Sequence, residues 1–313
     1  MSILTSSCTT SPGNTGTPNC QTLFKTQSGM FLVPMIANDG TANQIDVTAT
    51  LNQAYFDALV NHDDASKRWY PIHQTKNVSS VRDASIKEAM DDGTSYVVEK
   101  GPRNVELLIP KRSNVFLSKL EQWEGRQFGI VIIDTDGNIK MEASDDLAFL
   151  KPIKVQDGTW DATMLDATST TVSKISLKFQ IDKNVKDSML YMILASEMDN
   201  IDLSDIDGLY DVNATYNTPT TTVWIATITT DYGTGITKTP VSGLVTADFT
   251  VTEVSPVLGA SHSLTSVVET GGSGTGVYTF TLASAATSGD LLHIKTSTIK
   301  KYDSSSMANV LIP

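Results

Sequence analysis

The chain has 313 residues, of which 40% are hydrophobic and 19% are charged; this composition supports packed cores and excludes an intrinsically disordered chain. The net charge of -12 disfavours a protein that grips DNA, because DNA is bound by basic residues that neutralise its phosphates. No apolar run reaches the roughly 18 residues of a membrane span, and residues 1–10 lack the basic and apolar regions of a secretion signal, so we expect no membrane insertion and synthesis in a cytoplasm.

The N-terminal segment, residues 1–22, is rich in Ser, Thr, Gly, Pro and Asn and has almost no large apolar residue. Such a segment is either a disordered terminus or an extended arm that orders on a neighbouring copy, and we assign it as an arm. Both cysteines, Cys8 and Cys20, lie in it. Two thiols are too few for a zinc site, which leaves free thiols or one disulfide.

Four elements are predicted in the first 110 residues. The apolar run 29–36 predicts a strand, and Leu51, Tyr55, Phe56 and Leu59 have helical spacing. We therefore expect a short amphipathic helix over 51–60 with Thr50 as its N-cap. Residues 94–109 predict a hairpin whose strands flank a turn at 100–104.

The next region carries clearer signals. Ser113 is placed to cap a helix over 114–124, which Gly125 ends. The strands FGIVIID and IKMEA flank Asp136-Gly137, and Asp-Gly between apolar strands is a strong hairpin signal because both central residues need a positive φ. Residues 172–181 alternate as a half-buried strand, with a slip at Lys174 that suggests a bulge.

The acidic segment 199–208 predicts a domain boundary. Lys and Arg number 19 against 29 Asp and Glu in residues 1–213, and 4 against 6 in residues 214–313, so the acidity belongs to the N-terminal part. The following hundred residues hold seven short β-branched runs separated by turns, which predicts an immunoglobulin-like β-sandwich. Trp224 is its candidate core tryptophan.

No residue pattern points to chemistry. The segment Asp134–Asn138 lacks the ligand spacing of a calcium loop and is explained by a hairpin turn, and Asp202, Asp205 and Asp207 are explained by a solvated linker. The histidines are dispersed, and no nucleophile elbow or phosphate-binding loop is present. We therefore expect no enzyme, no catalytic, cofactor-binding or metal site, and no cofactor.

Several stretches together resemble virion structural proteins of tailed bacteriophages that infect Bacteroidota. They are Asn14–Cys20, the segment TLNQAYFDALVNHDDASKRWYPI from Thr50 to Ile72, the hairpin FGIVIIDTDGNI followed by Lys151-Pro152-Ile153, KISLKFQI, and DGLYDVNATY. Within that group the N-terminal part resembles a tail tube protein. The resemblance covers most of the chain but matches no single diagnostic motif.

The resemblance implies a mainly β fold with three parts: an extended arm over 1–22, a tail-tube-like β-sandwich or half-barrel with one or two short helices over 23–207, and an immunoglobulin-like β-sandwich over 208–313. It further implies homohexameric rings that stack into an acidic conduit for DNA ejection. No residue of this chain is matched to a lumen position.

The implied partners are copies of the chain, other tail proteins and DNA in transient, non-specific passage, and the implied location is the virion tail after assembly in the host cytoplasm. The alternative is a capsid decoration or fibre protein, in which residues 208–313 make a weak contact with a host surface or a glycan.

Overall fold

The computed structural model describes residues 24–217, 219–233, 238–272, 274–296, 301–305 and 307–313. Strands make up 46% and helices 10% of the protein, which confirms the mainly β class, and its sheets are curled into half-barrels. The chain divides into two compact units, Met1–Asp207 and Gly208–Pro313, with the boundary at the end of the acidic connector. No helix among the described residues combines the length and the apolar character needed to span a bilayer.

The first unit contains fourteen described strands and two helices. The helices are α1 (Gln53–Val60) and α2 (Asn114–Glu121). The strands are β1 (Gln27–Pro34), β2 (Ile45–Asp46), β3 (Tyr70–His73), β4 (Lys76–Arg82), β5 (Ile86–Ala89), β6 (Ser95–Glu99), β7 (Arg103–Pro110), β8 (Phe128–Asp134), β9 (Ile139–Ala143), β10 (Phe149–Lys151), β11 (Ile153–Lys154), β12 (Asp161–Leu165), β13 (Lys174–Ile181) and β14 (Leu190–Ile193).

These strands form two large sheets and one isolated hairpin. The first sheet has the order β2-β10-β9-β8-β1-β3, with β11 on β8 and β14 on β9. The second sheet has the order β12-β13-β7-β4, and β5 pairs only with β6. Strand β1 carries the apolar run Met30–Val33 because both of its faces are buried: Phe31 packs in one core with α1, and Met30 packs in another core with the second sheet.

Local signals explain both helices. Asn52 caps α1, because its Oδ1 accepts a hydrogen bond from Tyr55 N at 3.0 Å, so the expectation that Thr50 is the cap is wrong. Ser113 caps α2 as predicted, with its Oγ accepting from Phe116 N. Gly125 adopts φ +69 beyond the end of α2, a conformation that favours glycine.

The strand predictions have mixed outcomes. The hairpin of β8 and β9 around Asp136-Gly137 is confirmed, although only Gly137 of the two residues adopts a positive φ, at +81. Strand β13 begins at Lys174 and keeps an unbroken register with β7, so the slip in alternation marks the start of the strand rather than a bulge. A 3₁₀ turn at Asp187–Met189 leads directly into β14.

The second unit is a two-sheet sandwich. Its strands are β15 (Tyr210–Asn217), β16 (Val223–Gly233), β17 (Lys238–Pro240), β18 (Phe249–Ser255), β19 (Ser261–His262), β20 (Leu264–Glu269), β21 (Val277–Leu282), β22 (Leu291–Thr296), β23 (Tyr302–Asp303) and β24 (Val310–Leu311). One sheet has the order β20-β21-β16-β15-β23, with β17 on β16, and the other has the order β19-β18-β22-β24.

This strand order is that of an immunoglobulin-like domain. The path β15-β16-β21-β20 corresponds to strands A-B-E-D, and β18-β22-β24 corresponds to C-F-G. Trp224 is fully buried on β16 and stacks on Phe280, with ring centroids 5.6 Å apart. The predicted core tryptophan is therefore confirmed, although it lies on the B-like strand and not on the C-like strand where antibody domains carry theirs.

Candidate assembly surface

The isolated hairpin of β5 and β6 belongs to the longest fully exposed stretch among the described residues of the first unit. Every residue from 86 to 100 is exposed. Strand β5 pairs with β6 from Ile86↔Glu99 to Ala89↔Ser95, and neither strand joins another described strand. The predicted hairpin over 94–109 is therefore wrong, because β6 pairs backwards in the chain while β7 pairs with β13 and β4.

This exposed hairpin, residues 83–101, carries large apolar side chains on both faces. Tyr96 is 60% exposed on one face of β6, and Val98 is 64% exposed at the register shift between Val97 and Glu99. Val97, on the opposite face, is 56% exposed. A two-stranded hairpin with neither face covered is marginally stable in water, and contiguous exposed apolar side chains make this hairpin a candidate contact surface.

Polar contacts hold the base of the hairpin on the first unit. Asp187 accepts a hydrogen bond from Arg82 at 3.2 Å and forms an ion pair with Arg103 at 3.0 Å, which ties the two strands that enter and leave the hairpin to one carboxylate. Asn104 Nδ2 donates to Asp83 Oδ2 at 2.9 Å on the same level. The base is thus fixed while the apolar part remains uncovered.

Gly101 is required where the two strands leave the second sheet. A Cβ at this position would lie 2.3 Å from the carbonyl oxygen of Asp83, which is a backbone atom that cannot move aside without shifting the strand. Glycine therefore permits the close approach of residues 83 and 101 from which the hairpin extends. At the other end, Gly93 turns the chain with φ +82, and Asp92 Oδ1 accepts from Thr94 N at 2.8 Å.

The hydrogen bonds at that turn also affect the acidity of the Asp92 carboxyl group. The Thr94 hydroxyl and the Thr94 amide both donate to Asp92, and they lower the pKa of this carboxyl group below its ordinary value. The tip of the hairpin therefore carries a fixed negative charge at neutral pH. The dipeptide Asp92-Gly93 marks the turn of this hairpin in the sequence. It identifies the hairpin once residues 86–89 are recognised as the strand that pairs with β6.

Among the described strands, the second sheet ends in two edges without a further pairing strand, β4 and β12, on opposite sides. An unpaired edge presents backbone N–H and C=O groups that can pair with a strand of another chain. Because the two edges differ, pairing β4 of one copy with β12 of the next would be a head-to-tail contact. Such contacts close into a ring when the rotation between successive copies divides a full turn.

The solvent-facing side of the second sheet is not acidic. Register and burial place five charged side chains on it: Lys76, Glu106, Asp161, Lys174 and Lys178. Lys178 forms an exposed ion pair with Glu106 at 3.2 Å. The acidic excess of the N-terminal part therefore does not lie on this face.

The aspartate groups weighed for calcium serve as turn and cap residues. Asp134 is buried; its Oδ1 accepts from Asp136 N and Asn138 N, and its Oδ2 accepts from Asn138 Nδ2. Asp202 caps a 3₁₀ turn by accepting from the Ser204 amide and hydroxyl, which lower the pKa of its carboxyl group. These contacts account for the positions of both aspartates.

The histidines do not form a common cluster. His73 lies in the first unit with its Nε2 2.9 Å from Ile206 O, and His293 lies in the second unit beside Asn309. His262, however, lies beside Glu253 and Asp290, a grouping that the sequence analysis missed because its members are distant in the chain. The arm over 1–22, including Cys8 and Cys20, lies outside the described residues.

No protein-family model matches the chain, and no curated protein matches it in sequence.

Proposed function

We propose that this chain is a phage virion structural protein, a subunit of homohexameric tail tube rings that stack through contacts between copies of the first unit. The observation that carries the proposal is the exposed hairpin, residues 83–101, whose apolar side chains are not covered by any residue that the structure describes. The sequence resemblance implies a family whose subunits carry a long loop or arm and form rings that stack into a tube. In such a tube, a neighbouring copy would cover the hairpin.

The free edges of the second sheet supply a second argument. Pairing β12 with β4 of the next copy would continue the sheet around a ring and would remove both edges, which otherwise promote aggregation. In this arrangement the solvent-facing side of the second sheet would line the channel. Its charges are mixed, with three lysines and two carboxylates, so the lining of the proposed ring is close to neutral rather than acidic.

The alternative function is a capsid decoration or fibre protein that binds a surface through the second unit. It is favoured by one observation: the turn between β18 and β19 exposes Leu258 at 82% and Val257 at 58%. Two adjacent exposed apolar side chains at the end of an immunoglobulin-like sandwich suit a contact with another surface. Imaging of particles that contain this chain separates the two functions, because the chain lies in the tail in one and on the capsid in the other.

The test of self-assembly is the double variant Tyr96→Ser, Val98→Ser in the full chain. Burying an apolar side chain of this size contributes about 2 kcal/mol, so we expect each contact between copies to weaken by more than about tenfold. Negative-stain images and sedimentation velocity should show rings or tubes for the wild-type chain and monomers for the variant. The far-ultraviolet circular dichroism should remain unchanged, because these side chains belong to no core.

The matched control is Val268→Ser, Leu311→Ser, which removes two side chains that are 55% and 60% exposed in the second unit. We expect this control to assemble like the wild-type chain. Assembly of the hairpin variant at wild-type concentrations would contradict the role of the hairpin. A wild-type chain that stays monomeric at all concentrations, or that is found on the capsid, would contradict the tail tube.

A further inference from the structure

Three side chains of the second unit form a compact group with metal-ligating atoms. Glu253 lies on β18, His262 on β19, and Asp290 immediately before β22. One ligand atom from each residue lies within 4.8 Å of the other two. Glu253 and Asp290 are 7% and 5% exposed, and the His262 side chain is 16% exposed, so the group is largely shielded from water.

The fold holds both carboxylates in place through backbone amides. Glu253 Oε1 accepts from Val257 N at 2.8 Å, and the Glu253 backbone bonds Gly259 and Ala260, so the turn after β18 closes around this residue. Asp290 Oδ2 accepts from Thr287 N at 2.7 Å. These bonds orient the carboxylates before any ligand binds, which is the arrangement expected of a prepared site.

The charges of the group lack a cationic partner from the rest of the chain. In the part of the chain that the structure describes, no Lys or Arg forms an ion pair with Glu253 or Asp290, and His262 Nε2 is 3.3 Å from Glu253 Oε2. Within the same residues, no donor reaches Asp290 Oδ1. Buried carboxylates are costly unless a positive charge or sufficient hydrogen bonds compensate them, so a bound cation would stabilise this group.

We infer that Glu253, His262 and Asp290 bind one divalent transition-metal cation of the Zn²⁺ type. One imidazole nitrogen and two carboxylate oxygens form a three-residue ligand set that Zn²⁺ accepts, with water as the fourth ligand. Zinc–ligand distances are about 2.0–2.2 Å, so small side-chain rotations must draw the three ligand atoms together. The ion would tie the turn after β18 to β19 and to the start of β22, and this role is independent of the proposed assembly.

The competing arrangement contains no metal. In it, a protonated His262 compensates the carboxylates as an ion pair. The two arrangements differ in their response to added Zn²⁺, because only the first gives stoichiometric binding that depends on all three residues. Sequence analysis predicted no metal site because it weighed only ligands that lie close together in the chain.

The test uses the full chain without an affinity tag, with Cys8→Ser and Cys20→Ser so that thiols do not bind zinc. After chelator treatment, calorimetric titration with Zn²⁺ should show one site per chain, and the melting temperature should rise with Zn²⁺. His262→Gln and Asp290→Asn should each weaken binding by at least about tenfold. His293→Gln is the matched control, since this histidine lies on β22 and contacts Asn309 instead, and it should bind like the parent.

A second measurement does not depend on the variants folding. In nuclear magnetic resonance spectra of the parent chain, the ring nitrogens of His262 should shift with one equivalent of Zn²⁺, while those of His293 should not. Equal affinity of the parent and the two ligand variants, an unchanged His262 ring, or no binding by the parent would overturn the inference and leave the metal-free ion pair.

Discussion

Two tyrosines of the second unit differ in how their hydroxyl groups are satisfied. The Tyr278 side chain is fully buried; its hydroxyl donates to Val241 O at 3.0 Å and accepts from Leu244 N at 3.2 Å. The hydroxyl of Tyr216 is also buried but has no hydrogen-bond partner among the described residues. The same atom type therefore stabilises the fold at one position and carries an uncompensated desolvation cost at the other.

The matched variants Tyr216→Phe and Tyr278→Phe test this difference. Tyr278→Phe leaves a buried carbonyl and a buried amide unpaired, so we expect a loss of about 1–3 kcal/mol in the free energy of unfolding. Tyr216→Phe removes only an unsatisfied group, so stability near pH 7 should be unchanged or higher. Chemical denaturation of the full chain measures both. Equal losses in the two variants would contradict the hydrogen-bond assignment.

The same pair of variants predicts a pH effect. Burial raises the pKa of Tyr216 above its ordinary value of 10.0. Above pH 10 the unfolded chain therefore loses this proton before the folded chain does, so the stability present below that pH falls as the pH rises. Tyr216→Phe should make the alkaline loss of stability less steep, and an unchanged alkaline slope would refute this role of Tyr216.

At the scale of single elements, helix α1 shows how neighbouring residues compete for one structural role. Thr50 and Asn52 are both residues that cap helices well. The chain from 47 to 49 is turn and bend structure, and the helix begins only at Gln53, so the side chain in position to accept from Tyr55 N is that of Asn52. The helix then buries Phe56 and Val60 against the first sheet.

The pair Asn52→Ala and Thr50→Ala distinguishes the two candidate caps. Asn52→Ala should lower the free energy of unfolding by about 1 kcal/mol, which is typical for the loss of an N-cap side chain. Thr50→Ala should leave it within about 0.5 kcal/mol of the wild-type value, as is usual for surface substitutions. Thermal or chemical unfolding checks both, and the opposite order of the two losses would restore Thr50 as the cap.

For the whole molecule, each compact unit has its own hydrophobic core. The core of the second unit is formed by residues from both of its sheets, including Trp224, Phe249 and Phe280, and every member lies beyond residue 208. The strands of its two sheets pair only with other described strands of the same unit. A unit with its own core and complete sheets is expected to fold without the rest of the chain.

Residues 208–313 expressed alone should therefore unfold in a single cooperative transition. Trp224 is the one tryptophan of this segment, so its fluorescence reports on this unit directly. The fluorescence and circular dichroism transitions should coincide, as they do for a two-state domain. A gradual, non-cooperative change in either signal would show that the second unit depends on the first.

The sequence by itself determined the features that depend on neighbouring residues: the mainly β class, the β8–β9 hairpin at Asp136-Gly137, the Ser113 cap and most strands of the second unit, but not the short strands β17 and β23. Turn chemistry, capping and alternation are local effects and can be read from a short window. It also placed Trp224 in a core, because a large aromatic side chain in an alternating strand points to the buried face.

Only the tertiary structure decided which strands pair and which side chains meet. The hairpin predicted for 94–109 failed because β7 forms longer contacts with β13 and β4 than β6 could offer, which leaves β6 exposed beside β5. The grouping of Glu253, His262 and Asp290 likewise follows from the pairing of β18 with β19 and β22. Such contacts join residues far apart in the chain, and the free energy that selects them comes from packing over a whole sheet rather than from any local pattern.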